Sequence, residues 1–189
     1  IWIISKEVMH ISVKFKLSRP AIYVLVGYLL FFTCAFNFYR ILPEYNLAAM
    51  LYWKQFNFFG YATAVESKSL IDIPRLGLDT WSVLKHAPQA FLTTYLRPFF
   101  NDIKRNPLIL LSVLENRTTY VTTSLTIFNF RKPIQNDKGF LWIAILFVMT
   151  LYILIGLPTA VLGAIVRYKI PALPFLGFVM VSLSKKSKI

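Results

Sequence analysis

Arg167-Tyr168-Lys169, followed by Pro171 and Pro174, sets two cations beside a proline-interrupted entry to an apolar run. Two such bases can hold a phosphate or pyrophosphate, because charge-assisted hydrogen bonds strengthen where water is partly excluded. The same trio also makes an interfacial anchor, with Arg and Lys snorkelling to headgroups and Tyr in the aromatic belt. Arg97, in Arg97-Pro98-Phe99-Phe100-Asn101-Asp102, is a further phosphate-binding candidate; it can equally pair with Glu115 or end a solvated interfacial helix. Glu115 and Arg117 are intramembrane polar candidates, since they interrupt the apolar stretch from Asn106 to Phe130. At spacing i, i+2 they point in different directions on a helix and neutralise each other poorly. An unpartnered Glu115 would be a proton-handling carboxyl, whereas a structural pair with Arg97, Arg117 or a residue expected upstream of this sequence would silence it. Asp72, Asp79 and Asp102 are eligible general bases, and their spacing singles out none of them.

Other chemistries are excluded. His10 and His86 lie far apart, and the single cysteine, Cys34, sits inside an apolar run, so neither a metal site nor a disulfide framework is expected. No Gly-rich phosphate loop, Gly-x-Ser-x-Gly elbow or His-Glu-x-x-His helix occurs, and no cofactor is implied. Asn116-Arg117-Thr118 fits a glycosylation acceptor pattern that is common by chance, and it reads as noise.

The elements that must position these residues are apolar. Of the 189 residues 57% are hydrophobic and 16% aromatic, more apolar surface than a water-soluble fold uses. The pattern predicts an all-α integral membrane protein with about four transmembrane helices and interfacial amphipathic helices in a long external segment. A cytoplasmic basic segment, 1–19, precedes a crossing at 20–39, which is free of charge from Pro20 to Phe38. Residues 40–106 read as an external, membrane-associated segment holding five of the eight acids, with aromatic-rich stretches from Asn46 to Tyr61 and from Thr80 to Phe100. A second crossing is expected at 107–130 and a cytoplasmic turn at 131–138. The third crossing, 139–160, lies in the strongest signal, since Phe140 to Val166 is uncharged; Gly156-Leu157-Pro158 should end or kink it. An external break at 161–171, a short crossing at 172–184 and a cytoplasmic tail at 185–189 complete the expectation.

Charge supports that orientation. The expected cytoplasmic pieces carry four, three and three Lys/Arg, whereas the external pieces carry ten over more than twice the length, mixed with most of the acids. Positive-inside bias then puts both ends of the chain in the cytoplasm. The formal net charge of +13 does not indicate nucleic acid, because the bases sit at the ends of apolar runs rather than on one polar face. The partner is the lipid bilayer. Ile1-Trp2-Ile3-Ile4 is unlike the start of a signal peptide, which suggests a chain beginning inside a longer protein.

Four stretches carry a family resemblance: Pro88-Gln89-Ala90-Phe91, Leu96-Arg97-Pro98-Phe99, Leu114-Glu115-Asn116, and Gly163-Ala164-Ile165-Val166-Arg167-Tyr168-Lys169-Ile170-Pro171-Ala172-Leu173-Pro174-Phe175. In that order, over roughly residues 20–184, the chain resembles the C-terminal part of large bacterial multi-span proteins of surface-polysaccharide assembly. Several of those are similar to GT-C membrane glycosyltransferases or to polysaccharide polymerases. The resemblance implies location in the bacterial inner membrane and a polyprenyl-phosphate-linked sugar as partner. It also implies a supporting role near the lipid-linked phosphate for Arg97 and Arg167-Tyr168-Lys169. The catalytic acid of GT-C enzymes usually belongs to an early external loop, so the catalytic residue is expected upstream of this sequence and stays unknown. Where other members carry a Trp and an acid after Arg-Pro-Phe, this chain has Phe100-Asn101-Asp102. A non-catalytic membrane subunit or transporter fragment is the alternative; a transporter would turn Glu115 and Arg117 toward a cavity.

Overall fold

The computed structural model describes residues 19–103, 110–128 and 138–184. The basic segment ahead of Arg19, most of the 131–138 turn and the 185–189 tail lie outside the described residues. Within them the chain is all-helical. The α-helices are α1 (Arg19–Asn37), α2 (Leu47–Ala64), α3 (Thr80–Leu96), α4 (Phe100–Ile103), α5 (Leu110–Phe128), α6 (Lys138–Gly156), α7 (Leu162–Lys169) and α8 (Leu173–Ser184). Short 3-10 turns follow α1, precede α2 and join α7 to α8.

Three segments among the described residues are long and apolar enough to cross a membrane: Ala21–Arg40, Gly139–Gly156 and Leu162–Leu183. The expected crossing at 107–130 coincides with α5, which falls outside that set. Glu115, Asn116 and Arg117 lower its hydropathy, as do Thr118, Thr119, Thr122, Thr123 and Thr126. Each of those five threonines donates its hydroxyl to a carbonyl three or four residues back, so the backbone absorbs that polarity.

The break expected at 161–171 is mostly helix. Leu162 to Lys169 contains Leu, Ala, Arg and Lys, which lose little freedom in a helix. Pro171 falls in the opening positions of the 3-10 turn, where its missing N–H costs nothing. The short run at 172–184 therefore joins α7 into a 22-residue apolar stretch. The interruption lies earlier: α6 stops at Gly156, and Ile155 through Ala160 is a continuous buried run.

Buried non-helical backbone must find partners. The extended segment after α2 supplies them: the Ile71 N–H donates to the Ala160 carbonyl at 2.8 Å and the Leu162 N–H to the Ser69 carbonyl at 3.0 Å, making an antiparallel bridge between Leu70 and Val161. Gln55 of α2, only 3% exposed, ties the same region together. Its amide nitrogen donates to Pro74 O at 2.9 Å and Leu157 O at 2.8 Å, and its oxygen accepts the Leu76 N–H at 2.8 Å. Ile71, Ile73, Val113, Ala160, Leu162 and Ile165 form an apolar cluster beneath it.

Helix α3 crosses α6 at very close range. A Cβ on Gly156 would lie 2.1 Å from Ala90 O and 2.6 Å from Thr94 Oγ1, so only glycine permits the approach. Thr94 uses it to donate to Tyr152 O at 2.9 Å. Small residues and a side-chain hydroxyl at a helix crossing are a packing device of membrane helices, where apolar surface alone gives little reason to associate. α1 packs along α6, where Tyr28 and Thr150 share a hydroxyl–hydroxyl contact and apolar clefts of about 420 and 440 Å³ lie beside it.

Candidate functional site

Helix α3 ends at Leu96, and a helix end leaves carbonyls without intrahelical donors. Pro98, just past it, cannot continue the helix. Helix α5 supplies the missing donors from one face, with Asn116 and Tyr120 at spacing i, i+4 and apolar Val113 one turn before Asn116. Tyr120 places its hydroxyl between two α3 carbonyls, donating to Leu96 O with Tyr95 O at 3.2 Å. The Asn116 side-chain amide donates to Arg97 O. Its oxygen accepts from the Lys169 ammonium, which arrives from the last residue of α7.

Lys169 and Asn116 are each 3% exposed, so this is a buried polar knot rather than a surface contact. Glu115 lies within electrostatic reach of Lys169 while itself standing exposed. Three segments that are distant in sequence therefore meet: the turn from the end of α3 with Arg97 into α4, α5 with Glu115 to Tyr120, and the end of α7 with Arg167 to Lys169.

The candidates take different places around the knot. Lys169 is inside, bound to Asn116. Arg167 and Tyr168, two residues and one residue before it, are exposed. Arg97 is half-buried, with its guanidinium carbon 5.8 Å from the centre of the Phe99 ring. Arg117 is exposed and lies 4.5 Å from the centre of the Phe100 ring, a cation–π contact that links α5 to α4. Phe100 thus has an assignable role as a platform for Arg117.

Two of the three candidate general bases are engaged in local structure. Asp79 caps α3 by accepting the Ser82 N–H at 2.9 Å, and Asp102 accepts the Phe99 N–H at 2.8 Å. Asp79 is an N-cap, and Asp102 reaches back from the third position of α4 to the N–H of the residue before that helix, as in a capping box. Asp72 is exposed. His86 bonds the Ser82 carbonyl through Nδ1 at 2.8 Å, while His10 lies outside the described residues. No group of three metal-ligating side chains occurs among the described residues, and Cys34 is exposed on α1.

Asn116 is the residue that reasoning from sequence passed over. It appeared there only inside a resemblance stretch, Leu114-Glu115-Asn116, and in a chance-level acceptor pattern. A better one was available: a neutral amide in an apolar helical run, four residues before a tyrosine, places two hydrogen-bonding groups on one face. Such a face needs polar partners when buried.

Family models, curated proteins and solved structures offer no match for this chain. Its chemistry has to be argued from the knot and the charges around it.

Proposed function

We propose that this chain is the membrane portion of a glycosyltransferase-like or polymerase-like protein that holds the phosphate of a polyprenyl-linked sugar during surface-polysaccharide assembly. One observation carries the reading: the Lys169–Asn116–Arg97 hydrogen-bond chain joins the segments that bear the candidate cations. Arg167 and Tyr168 stand at the exposed side of that junction and Arg97 at its half-buried edge. Lys169 adds positive charge from beneath, and its contact with Asn116 fixes where the turn after α3 sits.

In this reading the chain crosses the bacterial inner membrane four times. α1, α6 and the α7–α8 stretch are the apolar crossings, and α5 is a less apolar fourth. Residues 40–106 lie on the external side, with both ends in the cytoplasm. The sugar is transferred by displacement at its anomeric carbon: an acceptor hydroxyl forms the new C–O bond, and the bond to the lipid phosphate breaks with its electron pair leaving on phosphate. Fixed cations favour that step because negative charge grows on the departing oxygen, and a positioned charge need not reorganise to meet it. The acceptor hydroxyl gives up its proton to a general base as the new bond forms.

Arg167→Ala is the test. The side chain is exposed, so its removal should change stability by no more than about 0.5 kcal/mol. In cells producing the complete protein, the variant is expected to abolish surface polysaccharide while protein level stays constant, read by polysaccharide staining beside an immunoblot. Unchanged polysaccharide at equal protein level would remove Arg167 from the site.

A further inference from the structure

Helix α2 is one-sided in burial but not in hydrophobicity. Ala48, Leu51, Gln55 and Ala62 are buried on one face. The opposite stripe, at spacing i, i+3, i+4, i+7, i+11, is Met50, Trp53, Lys54, Asn57 and Tyr61, all exposed. Met50 and Trp53 are each 55% exposed and Tyr61 74%, a poor surface to leave in water. Lys54 and Asn57 in the same stripe make it a poor surface for pure hydrocarbon as well. Apolar bodies with polar tips suit the zone between them, where Trp and Tyr rings sit at headgroup level and Lys snorkels outward.

The fold puts α2 at the right height for that zone. Only Phe38 to Asn46 separates it from α1, whose apolar stretch ends at Arg40. On its buried side Gln55 bonds Leu157 O, one residue past the end of α6. Phe36 near the end of α1, Leu51 of α2 and Leu157 share one apolar cluster. Helix α2 is thus fastened where two membrane-length helices end, with its uncovered stripe on the side away from that attachment.

We infer that α2 lies along the external bilayer boundary, with Met50, Trp53 and Tyr61 seated among lipid headgroups and upper acyl carbons. This rests on the reading that α1 and α6 cross the bilayer, and the experiment separates the two. The full chain is reconstituted into phosphatidylcholine–phosphatidylglycerol vesicles as two single-tryptophan variants. One retains Trp53, with Trp2, Trp81 and Trp142 replaced by Phe; the other carries Phe147→Trp at the middle of α6, with all four native tryptophans replaced. Lipids brominated near the headgroup or near the chain end serve as shallow and deep quenchers.

Trp53 should be quenched more by the shallow lipid, and the Phe147→Trp variant more by the deep one. Stronger deep quenching of Trp53 would mean that α2 crosses, and would overturn the inference. Absence of quenching at Trp53, with deep quenching retained at 147, would mean that water or protein covers the face, and would also overturn it. Absence of lipid quenching at 147 would overturn the membrane reading and the inference with it. A nitroxide on Lys54→Cys in a Cys34→Ser background gives a second measurement with every tryptophan intact. Access to oxygen together with partial access to a water-soluble nickel chelate is expected; full nickel access, or none, would contradict a boundary position.

Discussion

Asn116→Leu should cost about 3 kcal/mol of stability, since a buried group left without its partner costs about 1–3 kcal/mol and more when it is charged. The substitution keeps side-chain volume close to native but strips the acceptor from the Lys169 ammonium and the donor from Arg97 O. A buried ammonium without an acceptor is the larger loss, because desolvation of a charge costs more than that of a carbonyl. Against a typical total of about 5–15 kcal/mol, that is enough to unfold a substantial fraction of the protein on mild heating. Thermal unfolding in bicelles, followed by circular dichroism, should show a large fall in Tm. The double variant Asn116→Leu with Lys169→Met should recover most of it, since replacing both partners by apolar groups is close to neutral. Equal or worse stability in the double variant would mean that Lys169 is not held by Asn116.

Gln55→Leu should cost about 3 kcal/mol, through unpaired backbone rather than an unpaired charge. One side chain satisfies Pro74 O, Leu157 O and the Leu76 N–H, and a buried polar group left without a partner costs about 1–3 kcal/mol. Interhelical hydrogen bonds in membranes average only about 0.6 kcal/mol, because the unfolded reference finds other partners. Gln55 differs in that its partners are non-helical backbone groups, which have few alternatives. Hydrogen exchange should therefore rise first in residues 69–76 and at the α6–α7 break, with α1 little changed. Uniform exchange across the chain would count against a local fastening role.

How much of this was legible in sequence differs by element. The uncharged run from Phe140 and the Gly156-Leu157-Pro158 break show α6 and its end, because length, hydropathy and proline chemistry are local properties. Residues 161–171 read as a break because Arg167, Lys169 and Pro171 look like punctuation. In the fold, however, the proline opens a turn and Lys169 is bound on the inside. Which way a long cationic side chain turns is decided by a partner fifty-three residues away in the chain, and no local pattern encodes it. Gln55 and Asn116 were invisible for the same reason: each is a single neutral amide in an aromatic or apolar helix, and its meaning comes from backbone groups that tertiary structure delivers. Arg97, Glu115 and Arg167 were singled out by charge in apolar context. That signal marked residues on segments the fold brings together, but not the amide that joins those segments.

The meeting of α5 with the end of α7 is the claim on which the site depends, and continuous-wave electron paramagnetic resonance tests it directly. Nitroxides are placed at the exposed Thr118 and Tyr168, each within two residues of the Asn116–Lys169 contact, using Thr118→Cys and Tyr168→Cys in a Cys34→Ser background. The doubly labelled chain in bilayers should show clear dipolar broadening beyond the sum of the two singly labelled spectra. A doubly labelled spectrum identical to that sum would place the two helices apart and contradict the account.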